Sequence, residues 1–133
     1  MESVYVTDGS FEGLLSAIHE MYYSQDTVTD ILFKTPAQLN FAMTYKNIQT
    51  NEEKAFDVYN AICRKISHRA SYEVTMTWLS ELPQCGREII NYIKLGFKVG
   101  KKIDSMLTHK HVLPVHKASQ KVSRENLSGN RVC

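Results

Sequence analysis

This 133-residue sequence has only three cysteines, and their number and spacing exclude several classes of protein. The three cysteines lie far apart at 63, 85 and 133 and form no C-x-x-C pair, so neither a zinc ribbon nor a thioredoxin-type motif is present. No apolar run reaches the roughly 18–20 residues that a membrane span needs. The first residues lack the basic and apolar regions of a signal peptide. We therefore expect reduced thiols, a cytoplasmic location and no membrane contact.

The charge of the chain is divided unevenly between its two ends. Residues 1–83 carry 6 Lys/Arg against 11 Asp/Glu, a net of −5, whereas residues 84–133 carry 10 against 3, a net of +7. The whole-chain net charge of +2 hides this division. A strongly basic half indicates a polyanionic partner, most often nucleic acid and sometimes an acidic protein or a membrane surface.

The periodicity of apolar residues predicts a mostly helical α+β fold with a small sheet of short N-terminal strands. The predicted strands lie near residues 3–7, 31–33 and 43–45. Of the five predicted helices, four span about 11–23, 51–66, 84–107 and 112–124, and the remaining one follows Ser67, runs through Leu79 and is followed by Pro83, which ends it or begins the next helix. Ser10 and Ser67 are predicted N-caps, and Thr50 with Glu53 forms a capping-box pattern. Because a hydrophobic fraction of 43% suffices for one core, we expect a single domain over 1–125 and a flexible tail over 126–133.

The basic residues of the last two predicted helices have the same spacing. The first set is separated by 7, 4 and 3 residues and the second repeats these intervals: Arg87, Lys94, Lys98 and Lys101, then Lys110, Lys117, Lys121 and Arg124. At about 100° per residue, each set falls on one face of a helix. The two sets together, here called the basic ledge, match a phosphate backbone. Two solvated faces are the alternative, although such faces normally interleave both signs of charge.

A group of three histidines is the second candidate for chemistry. His109, His111 and His116 are candidates for contact with phosphate or a metal, or for acid–base work, with surface histidines as the alternative. No carboxylate lies within that segment to orient an imidazole, and we expect no metal or cofactor. The aromatic residues Tyr72, Trp78 and Tyr92 are able to stack on bases, but their helical spacing favours the core.

Several segments resemble a bacterial family of probable DNA metabolism proteins, a domain of unknown function. The opening YVTDGSFEGLL over 5–15 resembles the start of that family, and NYIKLGFKVG over 91–100 resembles its central helix. Shorter similarities are NEEKA over 51–55, RKIS over 64–67 and TH followed by VLPVHK over 108–117. Family members continue past the position of Glu125 into a further α/β segment, whereas this sequence ends in a different tail at Cys133.

The resemblance implies a role in DNA modification or repair. Members of the family are found with a radical S-adenosylmethionine protein, and some are fused to a uracil-DNA glycosylase-like domain, but the domain itself has no assigned activity. We therefore expect a nucleic-acid-binding accessory domain whose basic ledge contacts DNA. The runner-up is an adaptor that docks on a radical S-adenosylmethionine enzyme. An enzyme using the three histidines is least expected, because the sequence places no nucleophile or carboxylate pair beside them.

Overall fold

The contacts within the chain divide it into two compact units, Met1–Ala61 and Ile62–Cys133. A computed structural model describes residues 2–130, the last six of them by their backbone alone. Over these residues it has five α-helices and a three-stranded sheet, which confirms the mostly helical α+β fold. The two units are described separately below, and the single domain over 1–125 stays a prediction. None of the helices described is long and apolar enough to cross a membrane.

The first unit is built on a small parallel sheet. Its strands are β1 (Glu2–Val6), β2 (Thr27–Leu32) and β3 (Thr44–Asn47), in the order β2-β1-β3 with both pairs parallel. The central strand β1 is buried from Ser3 to Val6, which is why its sequence is almost continuously apolar or aromatic. A register shift between Ser3 and Val4 lets β2 pass one extra residue at this point.

Two helices, α1 (Phe11–Tyr23) and α2 (Glu52–Ala61), pack together in the first unit. Ser10 caps α1 as predicted, because its hydroxyl accepts the Gly13 N–H at 2.9 Å. The predicted capping box at α2 is wrong. Asn51 Oδ1 accepts the Lys54 N–H at 3.0 Å, and the Thr50 hydroxyl instead donates to Asp8.

The regular elements of the second unit are all helical over residues 62–130, the part of it that the structure describes. A π-helical segment (Ile62–Ile66) precedes α3 (His68–Leu79), and α4 (Cys85–Val99), a 3₁₀ helix (Gly100–Ser105) and α5 (Leu113–Asn130) follow. Helix α3 packs against both α4 and α5. The fully buried side chains at its centre are mostly β-branched: Ile62, Val74, Ile89, Ile90, Ile93, Ile103 and Val115. Ser67 caps α3 as predicted and accepts the Ala70 N–H at 2.9 Å.

The two glycines near the end of α4 have different roles. A Cβ at Gly96 would lie 2.6 Å from Ile66 Cδ1, so the helix is closely packed there. At Gly100 the nearest atom would be 3.6 Å away, which is an ordinary van der Waals contact. Glycine is needed at position 100 instead for its φ of +69°, and α4 ends at the preceding residue, Val99. A single helix over 84–107 was therefore wrong.

The predicted tail over 126–133 lies partly within the last helix. The backbone of α5 stays helical through Asn130, which lies beyond the apolar residues that mark the buried face of the helix. Residues 131–133 lie outside the described part of the chain.

Candidate nucleic-acid site between α3 and α5

All eight residues of the basic ledge are exposed, and three lie on one face of each long helix of the second unit. Arg87, Lys94 and Lys98 lie on α4 opposite its buried residues. Lys117, Lys121 and Arg124 lie likewise on α5, opposite Val115, Ala118 and Val122. The amphipathic pattern thus places each triplet in solvent, because its helix buries the other side.

Two residues of the predicted ledge lie outside these helical faces. Lys101 follows the left-handed Gly100 and belongs to the 3₁₀ helix, so the angular spacing of α4 does not reach it. Lys110 lies in a turn that ends before α5 begins at Leu113. The ledge as predicted, with four residues on each helix, is therefore corrected to three on each. We call Lys117, Lys121 and Arg124 the α5 basic face.

The three histidines divide into a pair and a single residue with different partners. His109 Nδ1 accepts the His111 N–H at 3.0 Å, and the two ring centroids lie 5.4 Å apart. Partial burial lowers the pKa of His111, and the charge of Lys110 lowers it further. His116 instead makes a 3.2 Å contact through Nδ1 with Glu73 Oε1 on α3. The expected trio is therefore not one cluster.

No group of three or more His, Cys, Asp or Glu side chains within residues 2–124 has the arrangement of a metal site. This finding includes His109, His111 and His116. Contact of these residues with phosphate remains a prediction.

An open cleft of about 490 Å³ lies between α3 and α5. Its walls combine cationic, aromatic, carboxylate and hydroxyl groups: Arg69, Tyr72, Glu73, His116, Ser119, Gln120, Ser123 and Arg124. The helical spacing of these residues explains the arrangement, because 69, 72 and 73 share one face of α3 and 116, 119, 120, 123 and 124 share one face of α5. The α5 basic face reaches the cleft through Arg124.

Glu73 is the most deeply buried charged residue of the cleft, with only 7% of its side chain exposed. Its Oε1 lies 3.5 Å from Arg69 Nε and 3.2 Å from His116 Nδ1. Its Oε2 is buried and has no hydrogen-bond partner among the described residues. Burial raises the pKa of the neighbouring Tyr92 phenol, and the carboxylates of Glu73 and Asp104 raise it further. Glu73 thus supplies the cleft with a negative charge and one unsatisfied acceptor.

The aromatic residues do not share one environment. Tyr92 is 2% exposed and belongs to the core, as predicted. Tyr72 is 50% exposed and lines the cleft, so its assignment to the core was wrong. Its hydroxyl lies 2.7 Å from Ser123 Oγ on α5, which holds the ring beside the opening. Trp78 is half-buried.

Sequence reasoning missed Glu73, Arg69 and the polar residues of α5. One signal was present: Glu73 interrupts the apolar face of α3 between Ala70 and Val74, and an acid on a buried face needs a partner. The partner itself could not be found, because His116 lies 43 residues further along the chain.

Comparison of the chain with protein-family models, with curated proteins and with solved structures gave no match. The resemblance to the DNA metabolism family therefore stays a prediction.

Proposed function

We propose that the chain is a nucleic-acid-binding accessory domain in DNA modification or repair, and that the second unit binds DNA at the α3–α5 cleft and the adjoining α5 basic face. The observation that carries this proposal is the position of Arg124. This residue ends the α5 basic face and also lines a cleft that contains the half-exposed ring of Tyr72. A cationic track that leads to an exposed aromatic ring is typical of sites for single-stranded nucleic acid.

The electrostatics of the basic residues support the proposal. Neither Lys117, Lys121 nor Arg124 forms an ion pair with a side chain that the structure describes. Unpaired cations are free to neutralise phosphates, and the resulting release of counterions from the DNA backbone is the main source of non-specific affinity for DNA. Arg69 adds a further half-exposed cation on the opposite wall of the cleft.

The test is a titration of the full chain with fluorescent single- and double-stranded DNA at several salt concentrations. We expect steep salt dependence for the wild type. In Lys117→Glu/Lys121→Glu, the plot of log K against log[salt] for single-stranded DNA should become less steep. The magnitude of its negative slope should decrease by about 1.4, because each of the two lost phosphate contacts contributes about 0.7. The matched control is Lys34→Glu/Lys54→Glu, which changes the net charge equally with exposed lysines of the first unit.

The two double variants distinguish DNA binding at the α5 basic face from attraction of DNA by the net charge of the chain. Loss of binding in both would show attraction by net charge alone, and this result would contradict a site on α5. Absence of salt-dependent DNA binding by the wild type would overturn the proposal. The adaptor that docks on a radical S-adenosylmethionine enzyme would then become the leading hypothesis.

A further inference from the structure

The α3–α5 cleft contains an acceptor that the protein itself leaves unused. Glu73 Oε1 interacts with both Arg69 and His116, whereas Oε2 has no donor within the described residues. A buried acceptor without a donor is unfavourable, and more so when it carries charge. A ligand that offers an N–H group to Oε2 would remove this cost.

Oε2 is buried in this structure, and Arg69 is the more loosely held of the two side chains that contact the Glu73 carboxylate. Its side chain is 50% exposed, and its Nε lies 3.5 Å from Oε1, a long contact. His116 is only 17% exposed and approaches Oε1 more closely, at 3.2 Å. Rotation of Arg69 into solvent would leave the carboxylate held at Oε1 by His116 alone and free it to turn toward an entering ligand.

Tyr72 provides a flat surface beside this carboxylate. The Tyr72 ring is half-exposed, and its hydroxyl bridges to Ser123 Oγ at 2.7 Å, so its orientation is fixed from α5. Base–aromatic stacking requires this kind of ordered and accessible ring. The cleft volume of about 490 Å³ lies within the usual range for sites that hold small organic groups.

We infer that the cleft binds one unstacked, amino-bearing nucleobase of single-stranded DNA. The base stacks on Tyr72, its exocyclic amino group donates to Glu73 Oε2, and its phosphate contacts Arg124. Carboxylates accept from the cytosine N4 amino group in known recognition patterns. Thymine fits poorly, because two carbonyl oxygens flank its single N–H and repel the carboxylate. This inference rests on the proposed function and adds the class of base that the site selects.

The test measures binding of the full chain to three short oligonucleotides by fluorescence anisotropy. These are a deoxycytidine pentamer, a thymidine pentamer and an abasic pentamer of equal charge. We expect the cytidine pentamer to bind about tenfold more tightly than the thymidine pentamer, since one charge-assisted hydrogen bond is involved. The abasic pentamer should bind more weakly than both, because it cannot stack.

Glu73→Gln supplies the decisive variant, because the amide places a donor where Oε2 stood and keeps an acceptor for His116. The preference should then invert toward thymidine, whose carbonyl oxygens accept from the amide. A merely structural role of Glu73 predicts equal weakening for all three oligonucleotides. Thermal denaturation of the variant establishes that it is folded.

The ring is tested independently of Glu73. Tyr72→Ala should weaken binding of the cytidine pentamer about tenfold while leaving the abasic pentamer unaffected, whereas Tyr72→Phe should retain most of the affinity. The matched control is Tyr23→Ala, which removes a ring that is 79% exposed on the first unit. If Glu73→Gln fails to fold, these variants still decide the question.

The failure of this inference is distinct from failure of the proposed function. Equal, salt-dependent binding of all three pentamers by the wild type would overturn the base pocket and leave phosphate binding intact. A Tyr72→Ala protein that keeps the full cytidine preference would also overturn it. Absence of binding to every pentamer and to longer DNA would overturn both.

Discussion

The two units of this chain differ in the sign of their charge and in what the charges do. Residues 1–61 carry 3 Lys/Arg against 9 Asp/Glu, and residues 62–133 carry 13 against 5. The division at residue 61 is therefore sharper than the one drawn from sequence at residue 83. Net charges of −6 and +8 on the two units show that the electrostatic boundary follows the structural one.

Acidic groups of the first unit hold its own loops in place. Asp8 accepts from the Ser10 backbone and hydroxyl and from Thr50, and these bonds, led by the Ser10 hydroxyl, hold the pKa of its carboxyl below the usual value. Lys46 pairs with Glu20 at 2.8 Å and with Asp26 at 3.6 Å. In the second unit, by contrast, the α5 basic face forms no such pairs within the described residues. Asp8, Glu20 and Asp26 of the first unit thus act within the unit, whereas the α5 basic face of the second unit is presented to solvent.

The largest expected effect is at Gly96 in the second unit. Gly96→Leu should destabilise the protein by about 3 kcal/mol, because even its Cβ would overlap the buried Ile66 side chain. Thermal and urea denaturation measure the loss. Gly100→Ala is the control and should cost about 1–2 kcal/mol through backbone strain alone. Equal melting of Gly96→Leu and the parent would show that this packing is not tight.

The corresponding glycine of the first unit is Gly13, which lies against polar atoms. Gly13→Ala should cost about 2 kcal/mol, because its Cβ would lie 2.5 Å from Asp8 Oδ1 and disturb the bonds of that carboxylate. Urea denaturation measures the change. Asp8→Ala/Gly13→Ala provides the check, since removal of the carboxylate relieves the overlap and the two losses should not add. Additive losses would contradict this explanation.

The helix caps of the two units can also be compared, and the expected changes in the free energy of unfolding are smaller. Ser67→Ala should cost more than Asn51→Ala, which we expect near 1 kcal/mol, because Ser67 Oγ also donates to Asp104 at 2.9 Å. Denaturation of both variants measures the order. Glu53→Ala should change stability little, since the predicted capping box is not formed. A large loss of stability in Glu53→Ala would contradict this and support the capping box.

The smallest effect is a pH dependence in the first unit. The Tyr5 hydroxyl donates to Asp26 Oδ2 at 2.8 Å, and this bond is the main cause that lowers the pKa of Asp26. A lowered native pKa stabilises the fold above the unfolded value and the contribution is lost as pH falls through the native value. Tyr5→Phe should therefore be less stable than the parent at neutral pH, with a difference that shrinks below about pH 4.

Urea denaturation of Tyr5→Phe and the parent across this pH range provides the measurement. Tyr23→Phe is the control, because its exposed side chain makes no hydrogen bond to a carboxylate in the described residues. A difference between Tyr5→Phe and the parent that persists unchanged in acid would contradict the role of Asp26.

Local signals in the sequence were sufficient for elements whose ends depend on nearby residues. Helix α1 has the predicted bounds, because its apolar period and the Ser10 cap agree. Helix α4 was predicted too long, since apolar spacing continues past Gly100 although the backbone turns there. On α2, Phe56 and Tyr59 are exposed while Val58 is buried. Which face of α2 is buried therefore depends on how the helix packs in the fold and does not follow from the hydropathy of its residues.

The α5 basic face of the candidate site could be predicted from local sequence signals, whereas the α3–α5 cleft could not. Exposed lysines follow from helix period, so the α5 basic face could be located without a structure. The cleft depends on the alignment of α3 with α5, which brings Glu73 to His116 and Tyr72 to Ser123. Each of these contacts joins residues more than forty positions apart, and no local pattern records that alignment.

Lys46 has a further consequence for the behaviour of the protein at high concentration. The sheet of the first unit ends on one side at β3, whose residues are mostly exposed and pair only with β1 among the described strands. Such an edge is a template for strands of other molecules, and a charged side chain at its centre opposes their addition. We therefore expect Lys46 to oppose self-association at this sheet edge, in addition to forming its ion pairs with Glu20 and Asp26.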